Sequence, residues 1–357
     1  GFFSAFSVKQ HFPMHEVIIL EKTTKVLAKV KISGGGRCNV TNNQLDSLVL
    51  SKHYPRGENY LKKAFDVFNV QDTFNWFEER GVALKVYPDG CVFPLANDSQ
   101  VIIDCFTREA DRLHIKIEYQ AAVQEIQIEN DHFILKTRDQ SYSFDKVIIT
   151  TGGQPKRNGL EWLEKLGHTI IDPVPSLFTF NMPGNPIAVL MGNVVEKAVV
   201  RVEGTKLIGR GPLLVTHWGM SGPAVLKASA FGALALAEKH YEANIRINWI
   251  NQSFNDTLDE LKDLRESHPK KMCVTFNPFQ LSSRLWNWHL QRADLFLKDW
   301  ANSSNKAIEE LANSLTRSVL PMTGKSTFKE EFVTAGGVDL KHVNFQTMEH
   351  KLVPNLY

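Results

Sequence analysis

The chain has little of what would tie it to a disulfide framework, a metal, a membrane or a polyanion. Its four cysteines, Cys38, Cys91, Cys105 and Cys273, form no C-x-x-C pair among 357 residues. That spacing excludes a disulfide scaffold, a structural zinc site and a paired-thiol redox centre, and it points to a reducing cytoplasm. No run approaches the roughly 18 consecutive apolar residues of a membrane span, and no signal peptide is visible at the start of the numbering. Lys and Arg number 41 against 39 Asp and Glu, a formal charge of +2, so the scattered basic residues read as solvated faces and no nucleic acid is expected as a partner. Internal repeats and low-complexity segments are lacking too. So is a complete G-x-G-x-x-G.

What is present points to a nucleotide cofactor. The apolar strand Val17-Ile18-Ile19-Leu20 delivers Glu21, and about ten residues later comes Lys31-Ile32-Ser33-Gly34-Gly35-Gly36-Arg37-Cys38-Asn39-Val40-Thr41-Asn42. In a dinucleotide-binding βαβ unit an acid at the end of the second strand accepts hydrogen bonds from a ribose hydroxyl. A glycine-rich loop lets backbone N–H groups approach an anion. Gly1 to Gln10 reads as the first crossover helix, and Gly1 stands where the last glycine of the fingerprint belongs, about 20 residues before Glu21. The numbering is therefore expected to begin inside the phosphate loop.

Length suits two domains, and a hydrophobic content of 43% allows large cores. Apolar spacing predicts helices over 60–68 and 70–80, the latter closed by Gly81, and a helix over about 100–113 capped by Ser99. Leu84–Tyr87 and Cys91–Pro94 read as a hairpin. Ala122–Ile128, His132–Thr137 and Ser141–Phe144 read as a meander that feeds an apolar strand, Lys146 to Thr151, ending in Gly152-Gly153. Beyond Pro175 the texture changes. Val195–Val202, Thr205–Ile208, Pro212–Thr216 and Ala243–Trp249 suggest a closed antiparallel barrel, interrupted by a helix from Pro223 through Leu236 with Ser221 as its capping hydroxyl. From about Asp256 to Leu320 the pattern is charged and helical, bounded by Pro269, Pro278 and Pro321. Phe328 to Thr334 reads as a strand before Ala335-Gly336-Gly337-Val338, and Leu352–Tyr357 begins a further apolar strand.

Three motifs carry a resemblance: the triple-glycine run, Thr216-His217-Trp218-Gly219-Met220-Ser221-Gly222-Pro223, and Phe332-Val333-Thr334-Ala335-Gly336-Gly337-Val338. In order and spacing they resemble the bacterial FAD-dependent oxidoreductase family that includes aminoacetone oxidases and bile-acid dienone reductases, over essentially the whole chain. The resemblance implies an α/β, Rossmann-like FAD-binding domain with a parallel sheet and an antiparallel meander, residues 1–176 and 332–357. An insert at 177–331, a β-barrel with a helical bundle about 253–322, would interrupt it. Carried over by position, Glu21 would bind the adenosine ribose, and Gly34, Gly35, Gly36, Arg37, Cys38 and Asn39 would line the flavin and pyrophosphate. Val123 would meet adenine through its backbone, with Thr151 and Gly152 nearby, and Gly336, Gly337 and Val338 would lie near the isoalloxazine. Gly1, Lys22 and Ser33 complete the expected cofactor-binding set. Cys91 departs from the pattern, standing where many relatives carry a basic residue.

The residues also suggest roles for single side chains. Arg37 can stabilise an anionic flavin or pyrophosphate, or simply hold structure. Cys38 lacks the second cysteine a disulfide reductase needs. His217 is a candidate proton donor, since reduction of an enone needs a proton as well as a hydride, though its setting beside Trp218 also suits a packed histidine. Trp286, Trp288 and His289 between Arg284 and Arg292 fit a bundle core better than a base-stacking surface. The leading expectation is an FAD-dependent oxidoreductase acting on a small organic substrate, with NAD(P)H or O₂ as redox partner. The alternative is a flavin-binding protein whose insert recognises a macromolecule such as RNA, with little turnover of its own.

Overall fold

The computed structural model describes residues 1–326 and 333–357. Chain packing divides it into two units: Gly1–Gly152, Asn158–Ile171 and Val338–Tyr357 make the first, Gly153–Arg157 and Asp172–Gly337 the second. The expected strand from Phe328 falls largely outside the described residues.

The first unit runs α1 (Phe2–His11), β1 (Ile18–Leu20), α2 (Ala28–Gly36), β2 (Thr41–Asn42), α3 (Ser47–Ser51), α4 (Glu58–Val67), α5 (Val70–Glu78), β3 (Leu84–Val86), β4 (Cys91–Pro94), α6 (Gln100–Arg112), β5 (Lys116–Glu118), β6 (Glu125–Glu129), β7 (His132–Lys136), β8 (Ser141–Phe144) and α7 (Glu161–Glu164). β1 and β5 pair in parallel, Ile18 opposite Lys116 and Leu20 opposite Glu118, which requires the long crossover that the intervening helices supply. The apolar stripe of α1, Phe2, Ala5 and Phe6, is buried against Trp76, Phe77 and Phe106, with Phe6 stacked on Trp76 at 5.9 Å. Reciprocal Asn69 and Asp72 bonds form a capping box that starts α5. Below this core the buried Glu109 accepts from Arg80 at 3.0 Å and from Arg112 at 2.8 Å, a pairing that keeps its carboxylate below the usual range, Arg112 contributing most.

The second unit holds β9 (Ile170–Pro175, of which Asp172–Pro175 lie here), β10 (Phe180–Asn181), β11 (Val194–Val202), β12 (Ile208–Thr216), β13 (Gly219–Ser221), α8 (Pro223–Glu238), β14 (Glu242–Asn248), α9 (Phe254–Ser267), α10 (Ser283–Arg292), α11 (Asn305–Thr316), β15 (Ser318–Lys325) and β16 (Thr334–Val338). Six of these strands close a barrel in the order β10-β13-β12-β11-β14-β15. Inward positions Val200, Val202, Leu213, Val215, Ile245 and Ile247 recur at every second residue of their strands, the period-two pattern of a sheet with one face in the core. Helix α8 lies so close to β12 that a Cβ at Gly209 would stand 1.7 Å from the Ala224 carbonyl oxygen, so only glycine fits there. α9, α10 and α11 bury Leu261, Trp286, Trp300 and Leu311 in a core of their own. Trp286, Trp288 and His289 are buried core residues. The first unit closes with the hairpin β17 (Val343–Asn344) and β18 (Glu349–His350).

Several local expectations are corrected. Lys146–Thr151 is not a full strand: Val147 forms a single parallel bridge with Leu356, extended by Ile149 N–H to the Tyr357 carbonyl at 2.7 Å. Leu352 starts no strand either, because the chain bends and turns from Lys351 to Asn355 before Leu356 makes that bridge. Thr205–Ile208 and Pro212–Thr216 are not two strands, because residues 208–216 run as one after the turn at Thr205. Pro321 does not end the helical region. It sits inside β15 opposite Asn244, and it is tolerated because β10 on the other side pairs only with Gly324 and Lys325. Ser221 belongs to β13 and does not cap α8, since Gly222 at φ +93° occupies the cap. Gly336 and Gly337 lie within β16 and not in a turn after it.

Candidate cofactor site

The glycine run is built as a broken helix, not as the open loop the composition suggests. α2 proceeds normally to Ile32; then Ser33 is extended (ψ 147°) and Gly34 and Gly35 are left-handed, at φ +58° and +69°. Glycine adopts that hand without the strain a side chain would bring. Gly34 has a second reason, since an added Cβ would meet the Asn39 nitrogen at 2.9 Å and the Phe93 ring at 2.7 Å.

The turn is held from several sides. Cys38 N–H donates to the Ser33 carbonyl at 2.9 Å, and Arg37 Nε donates to the Gly34 carbonyl at 3.1 Å. The Arg37 guanidinium lies 4.2 Å over Phe93, so its visible part is to brace the turn. With its amide nitrogen turned toward them, the Asn39 side chain donates to the Thr41 and Val92 carbonyls at 2.9 and 3.2 Å, tying the run to the β4 strand. Ser99 was expected to cap α6, but Asp98 receives the Gln100 N–H at 2.8 Å instead. Ser99 turns inward, fully buried, donating Oγ to the Lys31 carbonyl at 2.8 Å and its N–H to the Gly36 carbonyl at 2.9 Å. Composition alone left it hidden, because a serine before a helix reads first as a cap. Its burial is what reassigns it.

Cys38 is buried at φ +61°, and burial pushes its thiol above the ordinary value. A protonated thiol is a poor nucleophile, and none of the other cysteines is bonded to it.

The first unit holds most of the other expected residues. Glu21 continues β1, its N–H bonded to the Glu118 carbonyl at 2.8 Å, with one carboxylate oxygen accepting from Thr23 N–H and Oγ1 at 2.9 Å each. Lys22 beside it is exposed. The Cβ position of Gly1 at the head of α1 lies 3.1 Å from Thr150 Oγ1, and that of Gly152 lies 3.4 Å from Lys29 Nζ on α2. Thr151 is exposed, Val123 packs against the cluster of Ile126, Phe133, Leu135, Val147 and Leu356, and Ser33 Oγ donates to the Val30 carbonyl at 3.0 Å. Val338 packs with Leu160, Leu163 and Ile170 in the same unit. Gly336 and Gly337 belong to the second unit, and so does His217, exposed in the β12–β13 turn with its ring 4.2 Å from that of Trp218.

A parallel strand pair tipped by an acid, a helix start and a glycine turn within one α/β unit define a dinucleotide-binding protein of the Rossmann type. The HI0933-like protein Rossmann domain matches residues 1–357, and the chain belongs to that family. With the family come FAD as the cofactor and oxidoreduction as the class of reaction, as the motif resemblance implied. The residues fit such a group. The left-handed glycines leave Gly35 and Gly36 with open space where a side chain would stand, and Glu21 keeps one carboxylate oxygen free of described partners.

Among characterised proteins, the chain is 23% identical to the 3-dehydro-bile acid delta(4,6)-reductase of Clostridium scindens, covering 96% of this chain and 85% of that one. It is 25% and 26% identical to the ribosomal RNA dihydrouridine synthases of Haemophilus influenzae and Escherichia coli, covering 96% of this chain and 84% of each. The crystal structure of a 3-ketosteroid-delta4-(5alpha)-dehydrogenase from Rhodococcus jostii superposes with a TM-score of 0.43 at 11% identity, over 99% of this chain and 86% of that one. Among the described residues no helix is long and apolar enough to cross a membrane.

Proposed function

We propose that the chain is an FAD-dependent reductase of a carbon–carbon double bond conjugated to a carbonyl, acting on a small organic substrate with NAD(P)H as the electron source. The observation that carries this reading is the clamped left-handed turn at Ser33–Gly36 in the same unit as Glu21. In it, Glu21 accepts from a ribose hydroxyl, the N–H groups at Gly1 and the Gly34–Gly36 backbone meet the pyrophosphate and flavin, and Val123 meets adenine. Lys22, Thr151 and Gly152 line the approach, and Gly336, Gly337 and Val338 attend the ring. Residues 177–331, barrel and helices, act as an insert that supplies substrate-facing loops, with His217 as a proton donor. When bound, FAD supplies two-electron hydride chemistry that side chains lack. Overall, two electrons and one proton leave NAD(P)H for the β carbon, and a second proton from solvent or His217 reaches the α carbon. Four free cysteines suit a reducing cytoplasm.

The printed activities of the relatives support this class. A delta(4,6)-reductase of a 3-dehydro bile acid and a synthase of dihydrouridine both saturate a bond conjugated to a carbonyl, in a steroid dienone and in a uracil ring respectively. The second supplies another reading, in which the double bond belongs to a uracil within RNA; an arginine-lined groove on the barrel favours it. Anaerobic titration tests the chemistry. NAD(P)H bleaches the bound flavin, and a cyclic enone or a uridine oligonucleotide restores its absorbance with formation of the saturated product. A flavin that no donor reduces, or that only O₂ reoxidises, overturns the proposal.

A further inference from the structure

The near-neutral net charge conceals a local concentration of one sign. On the barrel, β11 lies between β12 and β14, and the registers set Arg201 directly opposite Arg246. Two residues earlier on the same face, Val199 is flanked by Arg210 on β12 and Asn248 on β14. Val200 and Val202 point into the core, so this face is the outer one. Arg317, just after α11, joins it with its guanidinium 4.0 Å over the Phe254 ring. Together they line a groove of about 410 Å³.

Like charges set opposite one another across a strand pair are destabilising, and the fold does little to answer them. One carboxylate, Glu203, accepts from Arg246 Nε at 3.0 Å and Nη2 at 2.6 Å. Arg210 donates to the Asn251 amide oxygen at 3.2 Å. Arg201 has no side-chain partner among the described residues. Four guanidiniums less one carboxylate leave three positive charges facing one groove.

We propose that this groove is a phosphodiester-binding site whose occupant is RNA. Guanidinium forks match phosphate oxygens two at a time. The amide nitrogen of the exposed Asn251 offers a hydrogen bond to sugar or base, and the Arg317–Phe254 pair presents a flat face for a base. A low overall charge is no obstacle, because backbone recognition depends on charge gathered on one face. The inference rests on the RNA reading above for the nature of the polyanion, and not on the flavin chemistry.

The test is fluorescence anisotropy of the full FAD-loaded chain with a labelled uridine-containing RNA hairpin between 50 and 200 mM salt, roughly the range over which phosphate contacts are read. Affinity falls with salt. R201A/R210A weakens binding about tenfold and lowers the salt slope by about 2, while R201K/R210K keeps most of it. Arg138→Ala, an exposed arginine beyond β7 in the other unit, changes nothing. Equal binding by the alanine double variant, an equal loss on Arg138→Ala, or release by inorganic pyrophosphate at matched phosphate concentration overturns the proposal. Arg201→Ala alone, which removes no bond within the protein, settles the matter if the double variant melts early. Loss of RNA binding with unchanged reduction of a free enone supports the site. Arginine-dependent RNA binding by a protein that reduces no double bond leaves the site standing and removes the chemistry.

Discussion

The two units reach order by different means. In the barrel, order comes from non-local pairing and burial: Val200, Leu213, Val215, Ile245 and Ile247 are wholly inaccessible. The first unit has a parallel pair only three residues long, with every residue of β1 half-buried. Its order depends on individual polar anchors, Glu109 between two arginines and Ser99 between Lys31 and Gly36. A closed barrel distributes its stability; the glycine turn concentrates it in a few bonds, and those are where substitution has most effect.

Breaking the Glu109 anchor has the largest expected consequence. Glu109→Ala leaves Arg80, whose side chain is 14% exposed, with only the exposed Glu79 carboxylate at 3.5 Å in place of the buried one at 3.0 Å. The expected cost is about 3–5 kcal/mol, read as an earlier first transition in urea while the barrel's tryptophan signal is unchanged. A single unshifted transition would erase the contrast between the units. Gly34→Ala follows, at about 2–3 kcal/mol from positive φ and the contacts with Asn39 and Phe93, with FAD affinity lowered more than tenfold. Gly35→Ala, equally left-handed but facing open space, costs about 1 kcal/mol. If the two alanines behave alike, crowding at residue 34 is not what shapes the turn.

Acid sharpens the comparison next. His168 is pushed down to about 4, chiefly by burial and then by His350 and His342. In the unfolded chain it titrates near 6.5, so between about pH 6.5 and 4 the unfolded state binds the extra proton. The contribution to stability is full above pH 6.5 and is lost as pH falls toward 4, roughly 1–3 kcal/mol. Replacing His168 with Gln flattens that part of the stability profile; an unaltered profile contradicts the assignment. Ser99→Ala costs about 1–2 kcal/mol and weakens FAD several-fold, whereas Ser99→Thr tests whether the hydroxyl alone suffices. Smallest is Arg201→Ala, within about 0.5 kcal/mol and of stabilising sign, since it relieves the facing Arg246; a melt shows it.

Much of this was legible locally. The spacing of Phe2, Ala5 and Phe6, the hairpin at Pro88–Gly90, the meander of β6 to β8 and the alternation in 194–202 and 242–248 each follow from a period written into adjacent residues. What was not legible depends on partners distant in sequence. Pro321 is permitted by how little β10 pairs beside it, and Ser99 is held by a carbonyl at residue 31. The arginine groove is the clearest instance. Arg201, Arg210, Arg246 and Arg317 are scattered along the chain and read as solvated charges until strand register sets them side by side.

The central claim is that the clamped glycine turn holds a flavin that reduces a conjugated double bond. Its most direct test is a flavin titration of the full chain beside Gly34→Ala, followed anaerobically through reduction by NAD(P)H and reoxidation by an enone. The account predicts one FAD bound per chain, bleached and then restored with the saturated product, and a Gly34→Ala protein that remains folded but takes up little flavin. Full flavin uptake by that variant, or a reduced flavin in the parent chain that leaves every conjugated substrate untouched, would contradict it.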